Sequence, residues 1–235
     1  MSDIFKAIEK EKEYLSYRMK NQEPFHLVDA VKECGFASLN EYFQAKKNYQ
    51  LSSLGYELIE TEPLKAIADV LDSIAKKKTA VLFADTLFTL VWHGDNSEIN
   101  LEYCVKHTIP VLPLQTSGGT IVSTVGDLNI GICVPQSIGV DASFLLNGFA
   151  DIFRKYTDKT VTVDGNDVLV DGFKVMGSST YHKFGMFMFI TPVSLSEKSE
   201  LIANICVKQS DKQPRHIDFM DGATLRREVR TWLNL

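Results

Sequence analysis

The sequence predicts an α+β protein in which a helical N-terminal segment precedes a strand-rich region flanked by helices. Two observations carry this prediction. Residues 1–50 are polar, with apolar residues at helical spacing, whereas short β-branched runs alternate with amphipathic segments from Leu54 onward. The chain has 235 residues, of which 45% are hydrophobic and 23% charged, and this composition suits a globular protein with a sizeable core.

The N-terminal segment contains three predicted helices. Apolar residues at helical spacing mark the first helix within residues 4–19 and the second within residues 27–34, which Gly35 ends. Ser38 and Glu41 have the spacing of a capping box, which predicts the start of the third helix. The segment shows no catalytic pattern, so we expect it to pack on the rest of the chain or to contact a partner.

The remainder of the chain alternates predicted strands with predicted helices. The predicted strands are residues 56–60, 80–83, 88–92, 109–114, 120–125, 128–134, 160–163, 168–170, 173–176 and 184–191. The predicted helices are residues 63–74, 98–107, 140–156, 195–207 and 224–233. Asp141 lies near the start of the third of these helices, and Thr224 is the predicted cap of the last. The polar loop of residues 208–215 is expected to be mobile.

One lysine stands out because of the hairpin that carries it. Asp171-Gly172 separates two apolar runs and is a strong signal for a two-residue hairpin turn. Lys174 follows that turn on an otherwise apolar strand. Gly177 and Ser178 continue into a segment of small residues whose backbone N–H groups can approach a ligand closely. An exposed lysine on a surface hairpin explains this stretch equally well.

A second block of interest is the loop Ser117-Gly118-Gly119, which leads into a β-branched strand. Paired glycines let backbone N–H groups approach an anionic ligand. The loop matches neither the Walker pattern nor GxGxxG before a helix, and a hairpin turn explains it about as well.

Composition narrows the class of protein and its partners. The net charge of -5 argues against nucleic acid as the main partner. Four scattered cysteines without a CxxC pair favour a reduced, intracellular protein. The N-terminus lacks the apolar core of a signal peptide, and no apolar run is long enough to span a membrane. We therefore expect a cytoplasmic protein that is not membrane-bound.

Together, the two blocks resemble the lipoate–protein ligase family of the biotin/lipoate ligase superfamily. Residues 166–179 are similar to the family's signature of Asn-Asp, an apolar run, Asp-Gly, Lys and Gly-Ser-Ala. Residues 117–119 stand where the family has three glycines, and Gly126, Leu128 and Asn129 fall in step with it. The resemblance covers about residues 54–207. It implies a helical N-terminal extension at residues 1–52 and a ligase-like catalytic domain at residues 53–235.

The resemblance implies both a fold and a reaction. The fold is a mixed, mostly antiparallel sheet flanked by helices, as in class II aminoacyl-tRNA synthetases and biotin-lipoyl ligases. In the reaction, ATP with Mg²⁺ activates lipoate or octanoate to an acyl-adenylate. A lysine of a lipoyl carrier domain then accepts the acyl group.

The resemblance also assigns roles to residues. Lys174 would be the catalytic cation, since a fixed ammonium stabilises developing negative charge strongly in a dry pocket. The implied nucleotide-binding set is Ser117, Gly118, Gly119, Asn129, Asn166, Asp167, Gly177 and Ser178. Within this set, Asp167 would also be the Mg²⁺ ligand, because a carboxylate oxygen suits a hard cation. Val122, Ile132 and Phe187 would supply an apolar wall for the acyl tail.

The first block departs from the family in ways that keep an alternative open. The family's arginine pair is replaced by Pro113 and Leu114, its His-Asp by Ser123-Thr124, and an Asn by Asp127, which adds a negative charge. A non-catalytic binding module that keeps the ligase fold and recruits a partner through its helices is therefore the second interpretation. A cysteine-dependent acyltransferase is less compatible, because Cys133 lies within an apolar strand. A biotin ligase is also less compatible, because its arginine-rich loop is absent.

Overall fold

The computed structural model describes residues 3–21, 27–61, 65, 69, 72–93, 96–113, 119–207 and 211–235. The chain divides into two compact units, residues 1–54 and residues 55–235. The helices are α1 (Ile4–Asn21), α2 (Leu27–Glu33), α3 (Leu39–Ser52), α4 (Leu101–Lys106), α5 (Ala142–Arg154), α6 (Ser199–Ile205) and α7 (Gly222–Leu233). The strands are β1 (Glu57–Thr61), β2 (Ala80–Asp85), β3 (Leu90–His93), β4 (Val111–Pro113), β5 (Ile121–Ser123), β6 (Leu128–Pro135), β7 (Val161–Asp164), β8 (Asp167–Val170), β9 (Phe173–Gly177), β10 (Ser179–Lys183) and β11 (Met186–Val193).

The first unit consists of the three predicted helices, α1 to α3. The predicted N-terminal cap is confirmed at the start of α3, where Ser38 Oγ accepts a hydrogen bond from the Glu41 backbone N–H at 3.1 Å. The Glu41 carboxylate accepts from the Ala37 N–H at 2.6 Å, one residue before the N-cap N–H that it binds in a standard capping box. The three helices enclose a small core of Ala7, Val31, Cys34, Phe36 and Tyr42.

The second unit is built on an eight-stranded sheet, which confirms the predicted mixed, mostly antiparallel fold. Its strand order is β1-β2-β6-β11-β9-β8-β7, and β10 pairs with β11 off this path. β1 and β2 are parallel, whereas the other strand pairs of this sheet are antiparallel. A second sheet has the order β4-β3-β5, in which β3 and β4 are parallel.

Helices α5 and α7 cover part of the large sheet with apolar side chains. Phe149 of α5 stacks on Phe189 of β11 with ring centroids 6.0 Å apart and meets Trp232 of α7 edge-on at 5.7 Å. Gly148 makes this contact between the helices possible, because a Cβ at that position would lie 2.2 Å from the Trp232 ring. The predicted amphipathic helix is thus confirmed, and it begins where the Asp141 carboxylate caps the Phe144 N–H at 2.8 Å.

The hairpin around Lys174 forms as predicted. Asp171 and Gly172 both have positive φ, 50° and 80°, as the two central residues of a type I′ turn require. The register between β8 and β9 shifts at Val168/Leu169, so that Leu169 faces Lys174 and Asp167 faces Gly177. This shift is an irregularity beside the lysine that no sequence pattern indicates.

Several predicted boundaries are wrong. No strand was predicted between Lys174 and Phe184 beyond residue 176, yet residues 179–183 form β10 and pair with β11. The strand predicted to start at Phe184 starts at Met186, because Phe184 and Gly185 adopt positive φ in the intervening turn. The helix predicted at residues 195–207 is shorter and spans Ser199–Ile205, because the N–H groups of Leu195 and Ser196 donate to the Asp127 carboxylate instead.

The cap of the last helix is also different from the prediction. Asp221, not Thr224, is the N-cap of α7, and its carboxylate accepts from the Thr224 N–H at 2.7 Å. Most of the predicted helix at residues 63–74 lies outside the described residues. In the described part of the chain, no helix has the length and apolar character needed to cross a bilayer.

Candidate functional site

A cavity of about 500 Å³ lies between the small sheet, α6 and the segment of residues 211–215. Its lining residues are Glu98, Gly119, Thr120, Val122, Lys174, Ser199, Ile202, Ala203, Cys206, Lys212, Gln213 and Pro214. The apolar part is formed by Val122 together with Ile202 and Ala203 of α6. The ammonium groups of Lys174 and Lys212 supply positive charge. The cavity therefore offers both an apolar wall and cations.

Lys174 is a lining residue of this cavity, and its predicted contact with a ligand stays a prediction. Its Nζ lies 2.8 Å from Oδ1 of Asp167, at the start of the neighbouring strand β8. The Lys174 side chain is 34% exposed and that of Asp167 14%. An ion pair at the edge of a cavity orients the lysine without removing it from reach of a ligand.

The Lys174 and Asp167 side chains explain why residue 177 is a glycine. A Cβ at this position would lie 2.9 Å from Cε and 3.0 Å from Nζ of Lys174, and 3.2 Å from Oδ1 of Asp167. The missing side chain therefore makes room for the Lys174–Asp167 pair. The sequence had suggested instead a direct backbone contact to a ligand, which stays a prediction.

The remaining members of the predicted binding set are not all brought together. Gly119 lines the cavity, whereas Ser117 and Gly118 lie outside the described residues. Asn129 is buried, donates to Thr86 Oγ1 at 3.0 Å and is not among the lining residues. Its role toward the nucleotide stays a prediction.

Asn166 and Ser178 have a local structural role. The Asn166 carbonyl accepts from the Ser178 N–H at 2.8 Å and from the Ser178 hydroxyl at 3.1 Å. This contact joins the β7–β8 turn to the end of β9. Asn166 directly precedes Asp167, and Ser178 directly follows Gly177, with which Asp167 pairs. Any contact of these two residues with phosphate stays a prediction.

Lys212 is a site residue that the sequence analysis missed. Its Nζ lies 3.0 Å from Oδ2 of Asp167 and 3.0 Å from Oδ2 of Asp164, and it donates to the Asp164 carbonyl at 2.9 Å. The segment that carries Lys212 was expected to be mobile. Residues 213–215 pair with β9 through hydrogen bonds at Lys174, whereas residues 208–210 lie outside the described residues, and the mobility of the segment stays a prediction. A lysine in a polar loop carries no local pattern that could have indicated this position.

Asp127 does not present a free negative charge. Its carboxylate is fully buried, and Oδ1 accepts from the N–H groups of Leu195 and Ser196 at 3.0 and 3.1 Å. Oδ2 accepts from the Thr124 N–H at 3.0 Å and is paired with the buried ammonium of Lys198. Burial lowers the pKa of Lys198, against the opposing effect of Asp127. These bonds tie the β5–β6 turn to the residues that precede α6.

The residues of the site do not assemble a magnesium centre of their own. Among the described residues, no group of three or more His, Cys, Asp or Glu side chains is arranged to hold a metal ion. Both carboxylate oxygens of Asp167 are already bound to lysine ammonium groups. A Mg²⁺ ion at Asp167 would have to displace them, so the present geometry does not fit the predicted metal ligand.

Of the three residues predicted to form an apolar wall, one lies at the cavity. Val122 lines the cavity, whereas Ile132 and Phe187 belong to the buried core and are not lining residues. Cys133 is buried as well, and burial raises the pKa of its thiol to about 11. A thiol in that state is a poor nucleophile, because the thiolate is the reactive form. The cysteine that does line the cavity is Cys206, whose thiol pKa is also raised by burial.

The sequence of this chain matches a known protein family. The family described as the lipoyl protein ligase A/B catalytic domain matches residues 86–224, more than half of the chain. The chain belongs to this family. The matched region contains Lys174, Asp167 and Lys212, so the cavity lies within the lipoyl protein ligase domain.

One curated relative is a protein of Aeropyrum pernix that is provisionally named lipoate-protein ligase A. It is 27% identical over 84 residues, which cover 35% of this chain and 32% of the relative. The chain thus matches about a third of the length of this relative.

Solved structures show the same fold at low identity. The Thermoplasma acidophilum protein Ta0514 with bound lipoic acid has a TM-score of 0.61 and 16% identity, over 77% of this chain and 87% of that one. Plasmodium falciparum LipL1 in complex with lipoate has a TM-score of 0.61 and 11% identity, over 75% and 61%. A lipoate-protein ligase A bound with ATP has a TM-score of 0.60 and 14% identity, over 77% and 86%.

Proposed function

We propose that this chain is an ATP-dependent lipoate–protein ligase acting on lipoate or a medium-chain acid such as octanoate. In the first step the acid's carboxylate attacks the α-phosphate of ATP, forming acyl-adenylate and releasing pyrophosphate. In the second step the neutral amine of a carrier-domain lysine attacks the acyl carbon, forming an amide and releasing AMP and a proton. Residues 53–235 would carry this activity, and residues 1–52 would form a helical extension.

The observation that carries the proposal is the position of Lys174. Lys174 lines a cavity that also has an apolar wall, which suits an acid with a hydrocarbon tail and a negative head group. A volume of about 500 Å³ falls within the usual range of small-molecule sites, about 300–1,000 Å³. Family membership makes lipoate the first acid to consider, and related structures contain lipoate or ATP.

Lys174 would stabilise negative charge in both steps. Among the described residues, Asp167 is the acceptor for the ammonium group of Lys174. A lysine has three N–H donors. Two donors are thus left for the phosphate oxygens in adenylation and for the carbonyl oxygen during transfer. Gly119, at the cavity rim, would add a backbone N–H donor.

ATP is proposed as a substrate, and Mg²⁺ is expected to arrive with its phosphates. Magnesium commonly keeps several waters and binds through substrate phosphates rather than through an all-protein cage. This agrees with Asp167 being occupied by two lysines. A lipoyl carrier domain is proposed as the acceptor, since one related ligase was solved as a system with its E2 lipoyl domain.

Pyrophosphate release with ATP and each of lipoate, octanoate and biotin tests the first step. The wild-type chain should release pyrophosphate with lipoate or octanoate, and Lys174→Ala should lower the rate by about 10²–10³-fold. Lys155→Ala is the matched control, because Lys155 pairs with Glu228 on the surface at α5. Mass spectrometry of a lipoyl domain, with a lysine-to-arginine acceptor variant as control, tests transfer.

The non-catalytic module remains the second candidate because of one described position. Pro113, where the family has an arginine, provides no cation at the end of β4. If the chain is such a module, lipoate, octanoate or biotin should raise its Tm, whereas ATP should not. No pyrophosphate should be released. Those results with all three acids would overturn the ligase proposal.

A further inference from the structure

We propose that Lys212 is a positioning residue of this site, which holds one oxygen of Asp167 so that Lys174 remains available to the substrate's anionic group. This inference rests on the proposed function and names a residue that acts through Asp167. Lys212 lies in the segment that follows α6, outside both sequence blocks.

The two lysines share one carboxylate. Oδ1 of Asp167 lies 2.8 Å from Nζ of Lys174, and Oδ2 lies 3.0 Å from Nζ of Lys212. Each oxygen therefore has its own ammonium partner. This arrangement prevents Asp167 from turning both oxygens toward Lys174, and so fixes the direction of the Lys174 side chain.

The donors of Lys212 are used within the protein, unlike those of Lys174. Lys212 Nζ contacts three oxygens: the Asp164 carbonyl at 2.9 Å, Asp164 Oδ2 at 3.0 Å and Asp167 Oδ2 at 3.0 Å. A lysine has three N–H donors, and these contacts alone are enough to engage all of them. Lys212 therefore orients Asp167 and the β7–β8 turn, whereas Lys174 has a single carboxylate oxygen as ammonium partner within the described part of the chain.

The charges of the site support the same division of roles. Asp167, 14% exposed, would by itself balance the charge of Lys174, and Lys212 offsets that carboxylate. The Asp164 carboxylate is 64% exposed, so water screens it more strongly. Glu98 also lines the cavity, where one of its oxygens accepts from the Thr120 hydroxyl at 3.0 Å. Lys212 thus keeps a usable positive charge at Lys174 despite the nearby acids.

The backbone holds Lys212 in a fixed relation to Lys174. The Lys174 N–H donates to the Gln213 carbonyl at 2.9 Å, and the Arg215 N–H donates to the Lys174 carbonyl at 2.8 Å. Residue 212 therefore directly precedes a stretch that is hydrogen-bonded to β9 at the lysine itself. A positioning residue needs such rigid support, because small misplacements of a reacting group are costly.

Two substitutions at Lys212 test the inference. Lys212→Met keeps the aliphatic stem and removes the charge, whereas Lys212→Arg keeps a cation and donors. Lys155→Met is the matched control on a surface pair. Thermal unfolding of each variant verifies the fold. For pyrophosphate release, Lys212→Met should lower kcat about tenfold and change KM for the acid less than about twofold, because the lost interaction acts in the transition state. Lys212→Arg should recover kcat to within about threefold.

A second readout does not need enzymatic activity. The rate at which acetic anhydride acetylates Lys174 is measured by mass spectrometry of the full chain. With Lys212→Met this rate should fall about threefold or more, because both oxygens of Asp167 are then free to bind Nζ of Lys174 and shield it from the anhydride. Lys155→Met should leave it unchanged.

The two readouts separate the possible failures. If the wild type releases no pyrophosphate but Lys212→Met slows acetylation of Lys174, the inference stands and the proposed function fails. If the wild type is active and Lys212→Met changes neither kcat nor the acetylation rate, the inference is overturned and the function stands. A folded Lys212→Arg that is as impaired as Lys212→Met also overturns it.

Discussion

The ammonium group of Lys198 is paired with the carboxylate of Asp127 in the protein interior, where the two side chains are 8% and 0% exposed. The residues are distant in sequence, and the contact joins the β5–β6 turn to the segment that starts α6. Since α6 supplies one wall of the cavity, this pair helps to set the cavity's shape. Lys198 therefore supplies the counter-charge for Asp127, the residue expected from the sequence to add a negative charge.

Removing the acid of this pair should destabilise the protein. Asp127→Asn leaves the buried ammonium of Lys198 without a counter-charge, at a cost of roughly 3–5 kcal/mol in the free energy of unfolding. Chemical denaturation measures this change. Asp72→Asn is the matched control, because the exposed Asp72–Lys76 pair should contribute less than about 1 kcal/mol. Equal effects of the two substitutions would contradict the importance of the buried pair.

A methyl group at Gly177 should disturb the site more than the fold. In Gly177→Ala the new Cβ would stand 2.9 Å from Cε of Lys174, so the lysine must move away from Asp167. We expect pyrophosphate release to fall about tenfold or more, given the cost of misplacing a reacting group. Gly55→Ala is the control, since a Cβ there meets nothing within 4 Å. Unchanged activity in Gly177→Ala would argue against a role for the Lys174–Asp167 geometry.

Cys206 should report on the cavity's contents. It lines the cavity and is partly exposed, whereas Cys34, Cys104 and Cys133 are buried. Iodoacetamide should therefore label Cys206 first, and faster at higher pH because its pKa is raised by burial. Octanoate or lipoate at about ten times its Kd should slow this labelling about tenfold by occupying the cavity. The Cys206→Ser variant should lose the fast-reacting thiol. If neither octanoate nor lipoate slows the labelling of Cys206, the acids do not bind in this cavity.

Acid should weaken the start of α6 through Glu197. Hydrogen bonds from Ser199 lower the pKa of Glu197 to about 2, with a smaller contribution from His216, whose Nδ1 lies 2.8 Å away. Because the folded pKa lies below the unfolded value of 4.5, this stabilisation is present above about pH 4.5. It is lost as the pH falls toward about 2.

The Tm of wild type and Glu197→Gln measured across this range checks the prediction. The wild type should be the more stable protein at pH 5, by a modest margin because Glu197 is largely exposed. The two Tm values should then converge as the pH falls. A difference that stays constant from pH 5 to pH 2 would show that Glu197 does not contribute in this way.

The sequence by itself determined the features whose cause is local. Backbone sterics require residues that tolerate positive φ in a two-residue hairpin, and Asp171-Gly172 supplied that signal correctly. The cap at Ser38 was equally readable, because it acts within one helical turn. The signature around Lys174 also indicated the correct family.

Only the tertiary structure decided which side chains share the site. Asp167 and Lys212 are 45 positions apart, and Asp127 and Lys198 are 71 apart. Neither pairing leaves a periodic or adjacent pattern in the chain. Such contacts depend on strand register and on where a loop returns to the sheet, and a one-residue change of register redirects every side chain. For that reason the hairpin that carries Lys174 could be predicted from sequence, whereas Lys212, which shares the carboxylate of Asp167 with Lys174, became visible only in the fold.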